Sequence, residues 1–222
     1  MGKILVCQET ERGEKNYVAG VVTYIQEGLE GRVMNFGISV SIWNAELQDS
    51  IKWYLNFGAW NNENPEKPQM ADRVRNAGIE VGTLLCVTCG GLIEDDIADD
   101  GTPRYKASVW NFKKNGRVSI PAETQDQERN IIIGTIAKTL SNGDYYTVSI
   151  PVYTPRGEET ITTWYNISFK NSEERFAADQ AREVLVKGTD CAILCGRVKK
   201  NNGFNDLWGF SIALGWKEEE AA

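Results

Sequence analysis

The sequence predicts an all-β chain: two tandem β-barrels of five strands, each with one helix. Three observations predict it. Short residue groups recur in the same order in both halves. Each half holds five stretches rich in β-branched and aromatic residues. One helical pattern falls at the same place in each half.

The recurrence carries the domain division. Ala71-Asp72-Arg73-Val74-Arg75 returns as Ala178-Asp179-Gln180-Ala181-Arg182, Gly82-Thr83 as Gly188-Thr189, and Cys89-Gly90 as Cys195-Gly196. Trp53-Tyr54 matches Trp164-Tyr165, and Trp110-Asn111-Phe112 matches Trp208-Gly209-Phe210. The polar stretch from Gly116 to Asn130 lacks an apolar period and reads as a connection. We therefore expect domains at 1–118 and 127–222, joined by a linker at 119–126.

In the first half the expected strands are Tyr17–Ile25, Asn35–Trp43, Ile51–Trp60, Leu84–Ile93 and Arg104–Lys113, bounded by Gly, Asn, Asp or Pro. In the second they are Ile131–Leu140, Tyr145–Tyr153, Thr160–Phe169, Cys191–Val198 and Leu207–Trp216. The first helix runs from Met70 to Ala77 and stops at Gly78. The second is capped by Ser172, with Glu173 and Glu174 in its first turn. Phe176, Ala177, Gln180, Ala181, Val184 and Leu185 follow at helical spacing, and Gly188 ends it. Residues 94–103 read as an acidic, turn-rich loop whose counterpart is Lys199-Lys200-Asn201-Asn202-Gly203. Lys3–Gln8 lies outside the five-strand pattern and is a candidate edge strand. The order β-β-β-α-β-β is that of a small barrel plugged by a helix, the OB-fold.

Composition narrows the function. Of 222 residues, 41% are hydrophobic and 25% charged, which is ordinary for a globular protein. Histidine is absent, which excludes histidine triads, histidine bases and histidine metal ligands. The net charge of −7 argues against bulk electrostatic capture of nucleic acid, although a basic face can exist inside an acidic average. No apolar run is long enough for a membrane helix, and the first residues turn polar at Gln8, too early for a signal peptide. The five cysteines are an odd number and read as reduced thiols of a cytoplasmic protein. No nucleophile–base pair or paired catalytic carboxylates stand out, so no enzyme, cofactor or metal is expected. The buried-strand reading of Cys86, Cys89, Cys191 and Cys195 outweighs a metal knuckle, because Cys86 and Cys89 point to opposite faces of a strand.

Three stretches resemble the single-stranded-DNA-binding (SSB) proteins of bacteria and phages. Val33-Met34-Asn35-Phe36-Gly37-Ile38-Ser39-Val40 is similar to that family's second strand. Thr163-Trp164-Tyr165-Asn166-Ile167-Ser168-Phe169 is similar to its third. The second helix, with Lys187-Gly188-Thr189 and Cys195-Gly196-Arg197-Val198, resembles the segment that follows. The resemblance implies tandem OB-folds that bind single-stranded DNA with little sequence preference, in replication, recombination or repair. Because family members commonly surround a strand with four OB-folds, it also implies a homodimer.

Aromatic rings on a sheet offer π-faces to unstacked bases, and neighbouring Lys and Arg track the phosphates. Period two places Arg104, Lys106, Trp110, Phe112 and Lys114 on one face of their strand. The resemblance points to Trp164 and Phe169, and through the repeat to Trp53, whereas parity favours Tyr54 and Trp60 in the first half. Trp208 and Phe210 share a parity with Phe204, Ile212 and Leu214 and read as a core face. Two other readings stay open: a protein-binding OB module without strong DNA affinity, and an RNA-binding OB protein.

Overall fold

The computed structural model describes residues 4–44, 49–99, 101–157, 159–173 and 177–215, with the backbone alone at 41–44 and 49–52. The described residues are mostly strand, with two short α-helices and two sheets. Contacts divide the protein into two compact units, the chain passing from the first to the second between Phe112 and Lys113. Among the described residues, no helix is long and apolar enough to cross a membrane.

The first unit holds β1 (Ile4–Thr10), β2 (Gly13–Gly28), β3 (Val33–Asn44), β4 (Asp49–Trp60), α1 (Met70–Asn76), β5 (Leu84–Cys89), β6 (Ile93–Ile97) and β7 (Pro103–Lys113). Strand β2 serves two neighbours. Residues Asn16–Val21 pair with β5, and Val22–Gly28 pair with β3 after a register shift at Val22/Tyr24. Antiparallel β3–β4, parallel β4–β7 and the β7–β5 pairing bring the path back to β2, so the sheet closes on itself. Closure explains the alternation in β3 and β4. Met34, Phe36, Ile38 and Val40 face inward with Leu55, Phe57 and Ala59, while Asn35, Ser39 and Asn56 alternate with them. Helix α1 adds Met70, Ala71 and Val74 to the same core.

The second unit holds β8 (Gly116–Ile120), β9 (Arg129–Thr135), β10 (Lys138–Asn142), β11 (Tyr145–Arg156), β12 (Glu159–Lys170), α2 (Ala177–Val184), β13 (Asp190–Cys195), β14 (Lys199–Asn201) and β15 (Phe204–Leu214). Here β9 and β10 divide the work of the long strand β2. β9 pairs with β13 and β10 with β11. The change of neighbour happens at two consecutive amides: Ile136 N–H donates to Thr189 O at 3.0 Å and Ala137 N–H to Ser149 O at 2.9 Å. β11–β12 is antiparallel, β12–β15 parallel and β15–β13 antiparallel. The strand order therefore repeats that of the first unit, and α2 again sits between the third and fourth strands of the ring. Ala177, Ala178 and Ala181 of α2 meet Ile150, Ile167 and Phe169 in the core.

Both bent strands pass close to a neighbour at a glycine. A Cβ on Gly20 would lie 2.7 Å from Ile38 Cγ2, and one on Gly134 would lie 2.8 Å from Ile150 Cγ2. Only hydrogen fits at either point.

Several expectations change in detail. The acidic stretch after Ile93 is not a plain loop: β6 pairs with β7 as a hairpin, as β14 pairs with β15. The N-terminal strand β1 pairs with β2 of its own chain. Residues 121–128 lie between β8 and β9, which pair with each other inside the second unit. Expected helix residues Glu174 and Phe176, and the strand end Trp216, lie outside the described residues.

Candidate nucleic-acid interface

In the second unit, cross-strand register builds one continuous polar row over the outer surface. It runs Lys138 (β10), Ser149 (β11), Asn166 (β12), Asp206 (β15), Lys199 (β14). Ser149 Oγ donates to Asn166 Oδ1 at 2.8 Å. Asn166 Nδ2 donates to Asp206 Oδ1 at 3.1 Å, and Asn201 Nδ2 donates to Asp206 Oδ2 at 3.1 Å. The next row runs Leu140, Thr147, Ser168, Trp208, and the one beyond contains Tyr145 opposite Lys170. The small hydroxyls of Thr147 and Ser168, 2.8 Å apart, keep this floor low between larger side chains.

Aromatic rings and cations stand around that floor. Trp208 is 44% exposed and Tyr145 39% exposed, their ring centroids 6.2 Å apart. Lys170 Nζ lies 5.4 Å from the Tyr145 ring, and Lys138 Nζ lies 5.6 Å from the Trp164 ring. A concavity of about 550 Å³ is lined by Asn166, Asp206 and Trp208 together with Arg197, Lys199 and Lys200. Ring faces beside flexible ammonium groups suit a chain that is both stacked and anionic.

The first unit has the corresponding row: Tyr24 (β2), Gly37 (β3), Asn56 (β4), Lys106 (β7), Ile93 (β6). Tyr24 lies across Gly37, and its hydroxyl donates to Asn56 Oδ1 at 3.0 Å. Burial, followed by the Asp95 carboxylate, raises the Tyr24 pKa above the ordinary phenol value. Lys106 Nζ is paired with Asp95 at 2.6 Å. A concavity of about 540 Å³ is lined by Tyr24, Tyr54, Asn56, Asp99 and Arg104.

The expected site residues separate on this geometry. Tyr54 and Trp60 face outward on β4, and Trp60 lies on Gly58, whose Cβ would be 2.7 Å from Trp60 Nε1. Trp110 lies exposed over Gly90, and Arg104 and Lys106 share the outward face of β7. Trp164 faces outward on β12, and Lys114 is exposed beyond the end of β7.

Three residues need correction. Trp53 is half-buried on the core side, with the Tyr105 ring 4.6 Å away, because it shares the parity of Leu55 and Phe57. Phe169 is core, because it shares the parity of Tyr165 and Ile167. Phe112 is half-buried against the first core, with the Arg73 guanidinium 5.5 Å from its ring. Register also refines the repeat. Asn56 opposite Lys106 corresponds to Asn166 opposite Asp206, so Tyr54, not Trp53, occupies the place of Trp164.

Sequence reasoning missed Trp208, Tyr145, Lys138, Lys170, Arg197, Lys199 and Lys200. Trp208 escaped because the β13–β15 register shifts at Leu194/Cys195 and resets the alternation, leaving Leu207 buried and Trp208 outside. The legible signal was the run of lysines at the ends of aromatic strands in the second half.

No protein-family model matches this chain, and no curated protein matches it.

Proposed function

We propose that the chain consists of two tandem OB-folds and binds single-stranded DNA with little sequence preference, as a non-enzymatic protein of replication, recombination or repair. Strand order supports the fold reading. In the first unit the long strand β2 closes the ring, and in the second β9 and β10 share its pairings; in both, the third and fifth strands run parallel and the helix lies between the third and fourth. OB-folds present ligands to the face of strands two and three and to the loop joining strands four and five.

One observation carries the functional reading. On that face of the second unit, Trp164, Tyr145 and Trp208 stand with Lys138, Lys170, Arg197, Lys199 and Lys200 around a shared polar floor. Stacking contributes roughly 1–3 kcal/mol per base, and each phosphate contact adds a salt-dependent increment. A homodimer would place four such barrels in one assembly, and light scattering tests that.

Titration with thirty-mer poly-dT at low salt, followed by tryptophan fluorescence, tests the binding. Quenching that weakens with added salt is expected; no quenching at micromolar protein overturns the reading. Competition between deoxy- and ribo-oligonucleotides separates DNA from RNA binding. An unresponsive chain would return the protein to the class of protein-interaction modules.

A further inference from the structure

The two hairpins that flank the outer faces occupy the same place in their units and carry opposite charge. β6 pairs with β7 beside Lys106, and β14 pairs with β15 beside Asp206, the register partners of Asn56 and Asn166. The first hairpin strand contains Glu94, Asp95 and Asp96, with Asp99 in its turn. The second consists of Lys199, Lys200 and Asn201. We propose that single-stranded DNA is held on the second unit alone, and that the acidic β6–β7 hairpin closes the equivalent face of the first unit to polyanions. This rests on the DNA-binding reading and assigns it to one face of the chain.

The local pairing supports the assignment. In the first unit Lys106 already has its counter-ion, Asp95 at 2.6 Å, and Asp99 lines the same concavity as Arg104. A phosphate entering there must displace a carboxylate and then remain beside the others. In the second unit the floor acid Asp206 accepts hydrogen bonds from Asn166 and Asn201. Among the described residues no carboxylate forms an ion pair with Arg197, Lys199 or Lys200, so a phosphate pairs with them without displacing one and releases the cations condensed on the DNA.

The rings follow the same division. Trp208 takes the place that Ser108 holds in the first unit, counting from Asn166 and Asn56 along the paired strands. Trp164 lies beneath an ammonium group, whereas the first unit has Tyr24 where the second has Lys138. The first face thus keeps aromatic surface, but Lys106 is paired with Asp95 and Arg104 shares its concavity with Asp99.

The test uses the full chain in three forms and reads poly-dT affinity, its salt slope and the nucleotides occluded per chain. Lys199→Glu with Lys200→Glu should weaken binding by more than about tenfold and flatten the salt slope by about 1.4, two single-strand phosphate contacts. Tyr54→Ala with Trp60→Ala should leave affinity within about twofold, since stacking there is not used. Asp95→Lys with Asp96→Lys should open the first face, lengthening the occluded stretch. Thermal melts of each variant confirm folding. If the wild-type chain binds nothing, the DNA reading and this assignment fall together. If it binds and the Tyr54/Trp60 pair weakens it as much as the Lys199/Lys200 pair does, the DNA reading stands and the single-face assignment is overturned.

Discussion

Asn16 and Asn130 hold the same place in the two units. Each is fully buried, and each side-chain amide donates to the carbonyl of the glycine after a strand-end cysteine, Gly90 or Gly196, at 2.9 Å. Each also reaches an acid two residues earlier, Glu14 at 2.6 Å or Glu128 at 3.2 Å. The two differ at the amide oxygen. Asn130 Oδ1 accepts from Arg117 Nε at 2.7 Å, whereas Asn16 Oδ1 has no partner among the described residues. The register explains it: Arg117 lies opposite Ile132, and the corresponding position opposite Val18 is Leu5, which cannot donate.

Asn130→Ala should therefore destabilise the protein more than Asn16→Ala. It strands the Gly196 carbonyl and removes a partner of Arg117, a loss of about 2–3 kcal/mol, against about 1–2 kcal/mol for Asn16→Ala. Urea unfolding of the two variants beside the wild type gives the comparison. An equal loss would mean that Arg117 contributes nothing through Asn130.

Trp164→Ala and Trp53→Ala should separate binding from stability. Trp164 faces outward, so its truncation weakens poly-dT binding by about 1–3 kcal/mol with little change in melting temperature. Trp53 packs against Tyr105 and the core, so its truncation costs about 3 kcal/mol of stability and leaves affinity per folded molecule unchanged. Thermal melts run beside binding curves measure both.

Gly134→Ala should destabilise the second unit by about 1–3 kcal/mol, because the new methyl meets Ile150 Cγ2 at 2.8 Å in a packed core. Ile150→Leu moves the branch away from Cβ and should recover part of the loss. A double-mutant cycle by denaturant unfolding checks the coupling. Additive losses would show that the clash is relieved elsewhere.

The thiols should respond to pH in one direction. Burial pushes Cys89 and Cys191 up to about 12 and Cys195 well above its ordinary value, while Cys7 lies exposed. Folded buried thiols keep their protons, whereas unfolded ones ionise near 9.0. Stability from these groups is thus full below about pH 9 and declines as pH rises toward about 12. In native protein at pH 8, a thiol reagent should label Cys7 before the other cysteines, at a rate slowed by partial burial and by the Glu14 and Glu9 carboxylates that raise its pKa, and the buried cysteines only on unfolding. Rapid labelling of Cys191 under native conditions would contradict its burial.

The strands and helices were legible in the sequence because their signals are local. Alternation in Met34–Val40 and Leu55–Ala59, and helical spacing around Ala178 and Ala181, need only neighbours along the chain. The outward placement of an aromatic was legible where a strand keeps its phase, as at Tyr54, Trp60 and Trp164. Tertiary structure decided the rest. The β13–β15 register shift turned Trp208 outward, and only the pairing of β15 with β13 creates it. The parallel pairings β4–β7 and β12–β15 brought Lys106 beside Asn56 and Asp206 beside Asn166. Those contacts join residues far apart in sequence, and their register is set when the ring of strands closes. Composition alone showed one acidic and one basic segment. That they flank the corresponding face of each unit follows from the strand pairings, because a strand's neighbours across the sheet are not its neighbours along the chain.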